Sequence, residues 1–292
     1  MSNDKISITP VTFCCENETL VGILSQPANP QQTGVLIIVG GPQYRIGSHR
    51  HFFELAGALA HAGIPAFRFD VRGMGDSSGD LHTFESTAPD IKAAIDAFFC
   101  QQPGLQKVVL WGLCDAASAA LFYAHKDPRI EAMILLNPWA RTESGEAKAY
   151  LKHYYRDRIL QKSFWLKLMG GGINPIQTFK SFLVMIKKAK SKSKAPLEPL
   201  PATSQPPESS PLPERMLYGL KSFSGKVLFI LSGDDLTGQE FSDLISSNPD
   251  WKEASQLNTT TIEQMNDADH TFSSSKWKVG INELTISWVK SL

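Results

Sequence analysis

The stretch VVLWGLCDAAS, residues 108–118, decides the fold because it carries a buried strand directly into a helix. The apolar residues 108–111 have the composition of a strand, and the small residues that follow the turn favour a helix. Between them, GLCDA at 112–116 has the form of a nucleophile elbow, G-x-S-x-G, with Cys replacing Ser and Ala replacing the second Gly. Small residues two positions on either side of the nucleophile let neighbouring backbone approach closely. The pattern predicts Cys114 as a nucleophile.

The position of Cys114 also suits a reactive thiol. A cysteine at a helix N-terminus lies at the positive end of the helix dipole, which favours the thiolate. The alternative is a buried structural cysteine in a strand–helix turn, so a base and an acid elsewhere in the sequence have to support the nucleophile.

Strands and helices alternate on both sides of this turn. After a β-hairpin at the N-terminus, short apolar runs of buried-strand length are separated by segments of helical periodicity. This alternation predicts an α/β fold with a mostly parallel sheet of about eight strands flanked by helices. The predicted strands are 7–15, 20–24, 34–40, 64–70, 107–112, 131–137, 226–233 and 259–264, and the predicted helices are 52–61, 87–100, 116–125, 239–246 and 277–292.

The alternation stops between Ala140 and Phe223. Residues 141–194 hold thirteen Lys or Arg against three Asp or Glu, and residues 194–215 hold seven prolines. We expect a helical cap or lid inserted at 140–223, with a flexible Pro-rich linker at about 194–215. The hydrolase core then consists of residues 1–139 and 224–292.

Composition restricts the partners. The 29 basic and 29 acidic residues cancel, so no global field attracts nucleic acid. The N-terminal MSNDKISITP lacks the pattern of a secretion signal, and we expect a cytoplasmic protein whose four cysteines are thiols. No spacing typical of a metal site or of a nucleotide-binding loop occurs, so neither a metal nor an organic cofactor is predicted.

The base and the acid follow from chain order. His270 lies after the last predicted strand and before the last helix, the position that a catalytic histidine takes when the order is nucleophile, acid, histidine. The acid that holds the imidazole tautomer should follow the preceding strand, where Asp234 and Asp235 are adjacent. Asp235 is favoured and Asp234 is the alternative.

Two backbone N–H groups are candidates for an oxyanion hole. One belongs to Asp115, the residue after the nucleophile, and the other to Gly41 in the loop after an early strand. Gln43 is a spare candidate in the same loop. The alternative reading of this loop is an ordinary Gly-Pro turn.

These motifs resemble a known superfamily. VGGPQ at 39–43 looks like an HGGPG-type oxyanion loop, and FDVRGMGDSSG at 69–79 resembles the D-x-R-G-x-G-x-S segment of the serine-aminopeptidase-like branch of the α/β-hydrolases. With the elbow, the acid loop and DHTF at 269–272, the resemblance covers essentially the whole chain in order. It implies the α/β-hydrolase fold with Cys114, Asp235 and His270 as a triad.

A narrower resemblance involves two of the same segments. WGLCDAASAA at 111–120 and SGDDLTGQEF at 232–241 look like the exosortase A system-associated hydrolases of type 1, which are bacterial proteins encoded beside exosortase and exopolysaccharide genes. The chain departs from most of the superfamily because Cys114 replaces serine. Dienelactone hydrolases resemble it in using a thiol on this fold, and a thiolate suits esters and thioesters better than amides.

The function expected from the sequence is hydrolysis of an ester or thioester, whose acyl group is carried by a small molecule, a lipid or a sugar. Acyl transfer to a sugar or lipid acceptor is one alternative. A catalytically idle binding protein is another, from a different class. The basic residues of the cap also suggest peripheral contact with an anionic membrane, although a solvated basic face explains them as well.

Overall fold

The computed structural model describes residues 6–41, 43–140, 206–257 and 259–292 of the chain. Strands and helices alternate along most of these residues. The strands are β1 Ser7–Cys15, β2 Glu18–Gln26, β3 Thr33–Ile38, β4 Ala66–Phe69, β5 Lys107–Leu113, β6 Ile130–Leu136, β7 Lys226–Ser232 and β8 Thr260–Met265. The α-helices within the same residues are α1 His51–His61, α2 Ala88–Gln101, α3 Asp115–Tyr123, α4 Leu212–Ser222, α5 Leu236–Ser247, α6 Pro249–Ser255 and α7 Ser275–Val289.

The eight strands form one sheet in the order β1-β2-β4-β3-β5-β6-β7-β8. The hairpin β1–β2 pairs antiparallel and joins β4 antiparallel, whereas β4, β3, β5, β6, β7 and β8 run parallel to one another. Helices cover both faces, and separate apolar clusters fill the two layers between helices and sheet. The predicted α/β-hydrolase fold is confirmed.

The register of the central strands brings the candidate residues to one edge of the sheet. Ile38 of β3 pairs with Gly112 of β5, Gly112 pairs with Leu135 of β6, and Leu136 pairs with Ile230 of β7. The strands are buried almost throughout, as expected of parallel strands covered on both faces. The segments that follow them therefore meet at the carboxyl edge, where ligands bind in open α/β sheets.

The FDVRGMGDSSG segment connects the sheet to its neighbours. The Arg72 guanidinium donates to both carboxylate oxygens of buried Asp90 in α2 and also pairs with Glu16 of the hairpin turn. Gly75 has φ +55, and a Cβ there would lie 2.3 Å from the Asp70 carboxylate. The segment therefore joins the hairpin, β4 and α2 beside the carboxyl edge.

The structure differs from the sequence-based assignment in the bounds of several helices and in two helices that were not assigned. Helix α3 begins at Asp115, directly after Cys114, instead of at residue 116. Helix α4 covers the last four residues of the predicted linker and packs on α3, where Gly219 allows close approach to the Leu121 carbonyl. Helix α6 was not predicted.

Residues 141–205, which make up most of the expected cap, lie outside the described residues. Among the described helices, none has the length and apolar character needed to cross a membrane.

Candidate active site

Cys114 occupies a strained turn between β5 and α3. Its φ of 62° and ψ of −123° lie outside the regions that a side chain ordinarily permits. The turn is held by the Cys114 N–H, which donates to the Leu136 carbonyl at 2.8 Å, and by the Cys114 carbonyl, which accepts from Ala117 N–H at 3.1 Å. Strain of this kind persists where the surrounding structure imposes it, as at functional sites. The turn leaves Cys114 half-buried at the carboxyl edge.

Glycines beside the elbow permit this turn. A Cβ on Gly112 would lie 2.7 Å from the Ala116 carbonyl carbon, and a Cβ on Gly40 would lie 2.7 Å from Ala116 N. Real Cβ atoms do not approach backbone so closely. Small residues two positions either side of Cys114 are thus required by contact with the first turn of α3 and with the loop after β3.

His270 and Asp235 form a hydrogen-bonded pair in the loops after β8 and β7. The His270 Nδ1 lies 2.8 Å from Asp235 Oδ2. Asp235 is also the N-cap residue of α5, because the same oxygen accepts from Gly238 N–H at 2.8 Å. A cap fixes the carboxylate, so the carboxylate can fix the imidazole. The pair is partly shielded, with 10% of the Asp235 side chain and 35% of the His270 side chain exposed.

The choice between the adjacent Asp234 and Asp235 follows from where their side chains point. The Asp234 side chain is exposed, and its backbone N–H donates to the Ala268 carbonyl at 3.1 Å. The structure therefore brings Asp235, and not Asp234, to His270.

The ring of His270 also contacts the candidate nucleophile. The pKa of His270 is raised from 6.5 to about 10, first by the hydrogen bond to the Asp235 carboxylate and then by a hydrogen bond with Cys114, while burial opposes the rise. Because Nδ1 is taken by Asp235, Nε2 is the nitrogen that faces Cys114. The elevated pKa favours an imidazolium between two groups that carry or accept negative charge.

Asn137 supports this pair, and the sequence analysis missed it. It is fully buried directly after β6 and has φ 43°. Its Nδ2 donates to Ser232 Oγ at 2.8 Å and to the His270 carbonyl at 3.1 Å, and its Oδ1 accepts from Ser232 N–H at 2.8 Å. Ser232 Oγ then donates to the Asp269 carbonyl at 2.9 Å. The signal in the sequence was a single amide residue ending the apolar run EAMILLN.

The two predicted oxyanion donors lie beside the Asp115 side chain. Gly41 N–H donates to Asp115 Oδ2 at 2.8 Å, and Ala116 N–H donates to Asp115 Oδ1 at 2.9 Å. Burial raises the pKa of Asp115, while the N–H groups of Gly41, Ala116 and Asp115 itself and the charge of His270 oppose this rise. The sequence did not indicate that this carboxylate would meet these donors.

Gln43, the spare oxyanion candidate, is engaged within its own loop. Its N–H donates to the Gly41 carbonyl at 2.8 Å, and its side-chain Oε1 accepts from Ser48 N–H at 3.0 Å. Gln43 therefore shapes the loop that carries Gly41. The space where a Gly41 Cβ would project is open to 4 Å, and φ +61° suits glycine.

Two of the other histidines, His51 and His82, are a packing and a surface residue, respectively. His51 is buried edge-on against Trp111, with ring centroids 5.7 Å apart, and burial lowers the pKa of His51 to about 4. His82 is exposed in a loop. His153 lies outside the described residues. Across the parts of the chain that the structure describes, no group of three or more His, Cys, Asp or Glu side chains is arranged to hold a metal ion.

Cys114, His270 and Asp235 thus meet at one edge of the sheet, and residues of these types in this arrangement are suited to covalent acyl transfer. Comparisons with known proteins agree with the fold. Residues 30–173 match the family model described as serine aminopeptidase, S33. This match and the sheet order support the predicted α/β-hydrolase superfamily. No curated protein matches the chain.

Solved structures with similar folds include several esterases and hydrolases. The esterase Pf2001 of Pyrococcus furiosus superposes with a TM-score of 0.64 at 15% identity, over 98% of this chain and 93% of that chain. Est1E of Butyrivibrio proteoclasticus, solved with ferulic acid bound, gives 0.60 at 14% identity over 96% and 98%. A dienelactone hydrolase of Anabaena variabilis gives 0.60 at 14% identity over 98% of both chains. At these identities the likeness concerns the fold.

Proposed function

We propose that this chain hydrolyses esters or thioesters through an acyl-enzyme formed on Cys114. The observation that carries the proposal is the 2.8 Å hydrogen bond by which Asp235 holds His270 at the carboxyl edge of the sheet that also carries the strained turn of Cys114. The S33 family match over residues 30–173 and the esterases among the similar structures support the same class of reaction.

The first half-reaction uses Cys114 and His270. His270 Nε2 takes the thiol proton of Cys114, the sulfur attacks the substrate carbonyl carbon, and the carbonyl π electrons move to oxygen to give a tetrahedral anion. When this anion collapses, the bond to the alcohol or thiol breaks, and His270 Nε2 gives its proton to the leaving group. Asp235 keeps the tautomer with the proton on Nδ1, so that Nε2 does the proton transfer.

The second half-reaction regenerates the thiol. His270 Nε2, now neutral, removes a proton from water while the water oxygen attacks the acyl carbon of the thioester. Collapse of the second tetrahedral anion breaks the bond between sulfur and carbon, His270 Nε2 returns its proton to the departing Cys114 sulfur, and the carboxylic acid is released. Neither half-reaction draws on groups beyond the chain, the substrate and water.

A thiol in place of serine bears on the substrate class. Sulfur forms a thioester intermediate, and a thiolate is a better leaving group than an amine. A tetrahedral adduct on an amide therefore returns to the amide more readily than it releases the amine. We propose activated esters, lactones and thioesters as substrates in preference to peptides.

The test is steady-state hydrolysis of short- and long-chain p-nitrophenyl esters and acyl-CoA thioesters. Cys114→Ala and His270→Ala should each lower kcat by about 10³-fold or more, because the nucleophile and base act as a unit. Cys100→Ala removes an exposed free thiol and serves as the matched control. Full retention of activity in Cys114→Ala would overturn the proposal.

The cellular setting is a further part of the proposal and rests on the sequence. The resemblance of residues 111–120 and 232–241 to exosortase-associated hydrolases supports a role beside exopolysaccharide systems in the bacterial cytoplasm. The basic residues of the cap support peripheral contact with an anionic membrane. Such contact predicts co-sedimentation with vesicles of anionic lipid that is lost at high salt and when the Lys187–Lys194 cluster is neutralised.

A further inference from the structure

The side chain of Asp115 lies where the proposed reaction needs an empty position. The tetrahedral anion formed on Cys114 requires two N–H donors, from Gly41 and from Asp115. In the structure, Gly41 N–H donates to Asp115 Oδ2 at 2.8 Å. The Gly41 donor is therefore directed at a carboxylate oxygen that belongs to the protein.

The contact is built into the local backbone. Asp115 is the first residue of α3, and its Oδ1 accepts from Ala116 N–H at 2.9 Å, which anchors the side chain at the helix N-terminus. Gly40 makes room for it, because a Cβ on Gly40 would lie 2.0 Å from Oδ1. A larger residue at position 40 would exclude the carboxylate from this place.

We propose that the Asp115 carboxylate is a built-in competitor for the oxyanion hole, so that Cys114 is acylated only when this side chain leaves Gly41 N–H. The inference rests on the proposed function, because the donors matter only if a tetrahedral anion forms at Cys114. Two anions cannot share one N–H donor without strong repulsion at this separation. Asp115 therefore limits the rate of acylation and favours acyl groups that displace it.

The step to measure is acylation by p-nitrophenyl acetate. The bond between Cys114 Sγ and the acetyl carbon forms, the bond from that carbon to the aryl oxygen breaks, and p-nitrophenolate is released. Stopped-flow absorbance follows this burst in wild type, Asp115→Ala and Asp115→Asn. The alanine variant removes the competitor, and the asparagine variant keeps its shape without the charge, which covers the case in which alanine impairs folding.

A second reaction separates nucleophile reactivity from the oxyanion hole. Alkylation of Cys114 by iodoacetamide forms no tetrahedral anion and needs neither donor. Asp234→Asn is the matched control, since it removes an exposed carboxylate from the same edge of the sheet. We expect the Asp234 variant to stay within about twofold of wild type in both reactions, because exposed charges are screened.

The expected result is a burst that is about tenfold or more faster in both Asp115 variants, within the range that oxyanion donors contribute, with alkylation changed much less. A burst that is unchanged or slower in both variants, with normal alkylation, would overturn the inference and leave the proposed function standing. If Cys114 is alkylated no faster than exposed Cys14 and Cys100, the proposed function fails, and the inference falls with it.

Discussion

The two halves of the candidate site are arranged differently. In the acid half, made of Asn137, Ser232, Asp235 and His270, each hydrogen bond fixes a group that supports the histidine. In the nucleophile half, made of Gly40, Gly41, Cys114 and Asp115, the Gly41 N–H donates to the Asp115 carboxylate of the same half. The first half is complete without substrate, and the second half is occupied by its own side chain.

This difference separates two requirements of a catalytic site: a histidine that is oriented in advance, and an oxyanion hole that is open to the substrate. A catalytic histidine benefits from being fixed before substrate arrives, because its orientation costs nothing at the moment of reaction. An oxyanion hole benefits from being empty, because its donors gain most when negative charge develops there. The hydrogen bond between Asp235 and His270 gives the first property, and in the proposed reaction the Asp115 side chain would oppose the second. Substitutions that disturb one half while leaving the other intact test whether the halves act independently.

The largest effect on activity is expected when the negative charge of Asp235 is removed from the acid half. Asp235→Asn keeps an acceptor for Gly238 N–H but loses the negative charge that holds Nδ1–H, so that the neutral imidazole can take the wrong tautomer. We expect kcat on p-nitrophenyl esters to fall by roughly 10³- to 10⁴-fold. The control is Asp234→Asn, whose side chain is exposed. Equal losses in the two variants would show that Asp235 is not the acid of the triad.

The pH dependence tests the same half without removing a residue. Because His270 has a pKa of about 10 instead of 6.5, the imidazolium should persist through neutral pH, and kcat/KM should fall on the alkaline side near pH 10. The hydrogen bond to Asp235 is the first cause of the rise, so this limb should move to lower pH in Asp235→Asn. A fall of the wild-type kcat/KM near pH 6.5 would contradict an ionic interaction between Asp235 and His270.

The same shift affects stability with a defined sign. A histidine whose pKa is higher in the folded than in the unfolded state binds protons more tightly when folded. Its contribution is fully present below pH 6.5 and is lost as the pH rises through about 10. The difference in unfolding free energy between wild type and Asp235→Asn, measured in urea, should therefore be larger at pH 6 than at pH 10.5. A constant difference would indicate that the contact is not ionic.

The sequence predicted more of the acid half than of the nucleophile half. Chain order and the position after β7 and β8 located His270 and its neighbouring aspartates, because those positions follow from the order of strands. The sequence favours Asp235 over Asp234 because the acid usually lies a few residues beyond the glycine that ends the strand. The structure adds that Asp235 is also the N-cap of α5, a role that the sequence suggested for Asp234. The contact of Asp115 with Gly41 joins residues 74 positions apart and depends on a side-chain rotamer, which no periodicity encodes.

The helices that the sequence did not predict were missed for physical reasons. Helix α6 is only seven residues long, too short for periodicity to reveal. Its signal was chemical: Asn248 caps the N–H groups of Asp250 and Trp251, and Pro249 occupies the first helical position. Helix α4 follows a run of prolines that dominated the local composition. Strand β1, by contrast, has the predicted bounds Ser7–Cys15, because its β-rich run ends at the polar turn that begins at Glu16.

A moderate effect on stability is expected when the hydrogen bonds of Asn137, which support the acid half, are removed. Asn137→Ala loses two bonds to Ser232 and one to the His270 carbonyl, and leaves the Ser232 N–H buried without an acceptor. We expect the free energy of unfolding to fall by about 2–4 kcal/mol, measured in urea. Asn29→Ala, at an exposed position, should change it by less than about 0.5 kcal/mol. A loss below 1 kcal/mol would mean that the loop carries His270 without this support.

The smallest effect is expected on the stability of the nucleophile half, and its sign matters more than its size. Asp115 lies in the first turn of α3, where the helix dipole favours its negative charge, but burial outweighs the favourable contacts and raises its pKa. Folding therefore disfavours the ionised carboxyl on balance, and Asp115→Asn should leave the free energy of unfolding unchanged or raise it by up to about 1 kcal/mol. If the same variant accelerates acylation, the carboxylate obstructs the reaction without being needed for stability. Urea unfolding at neutral pH measures the change, with Asp234→Asn as the reference. A loss above about 2 kcal/mol, beyond what a helix dipole supplies, would instead identify Asp115 as a structural tether between α3 and the Gly41 loop.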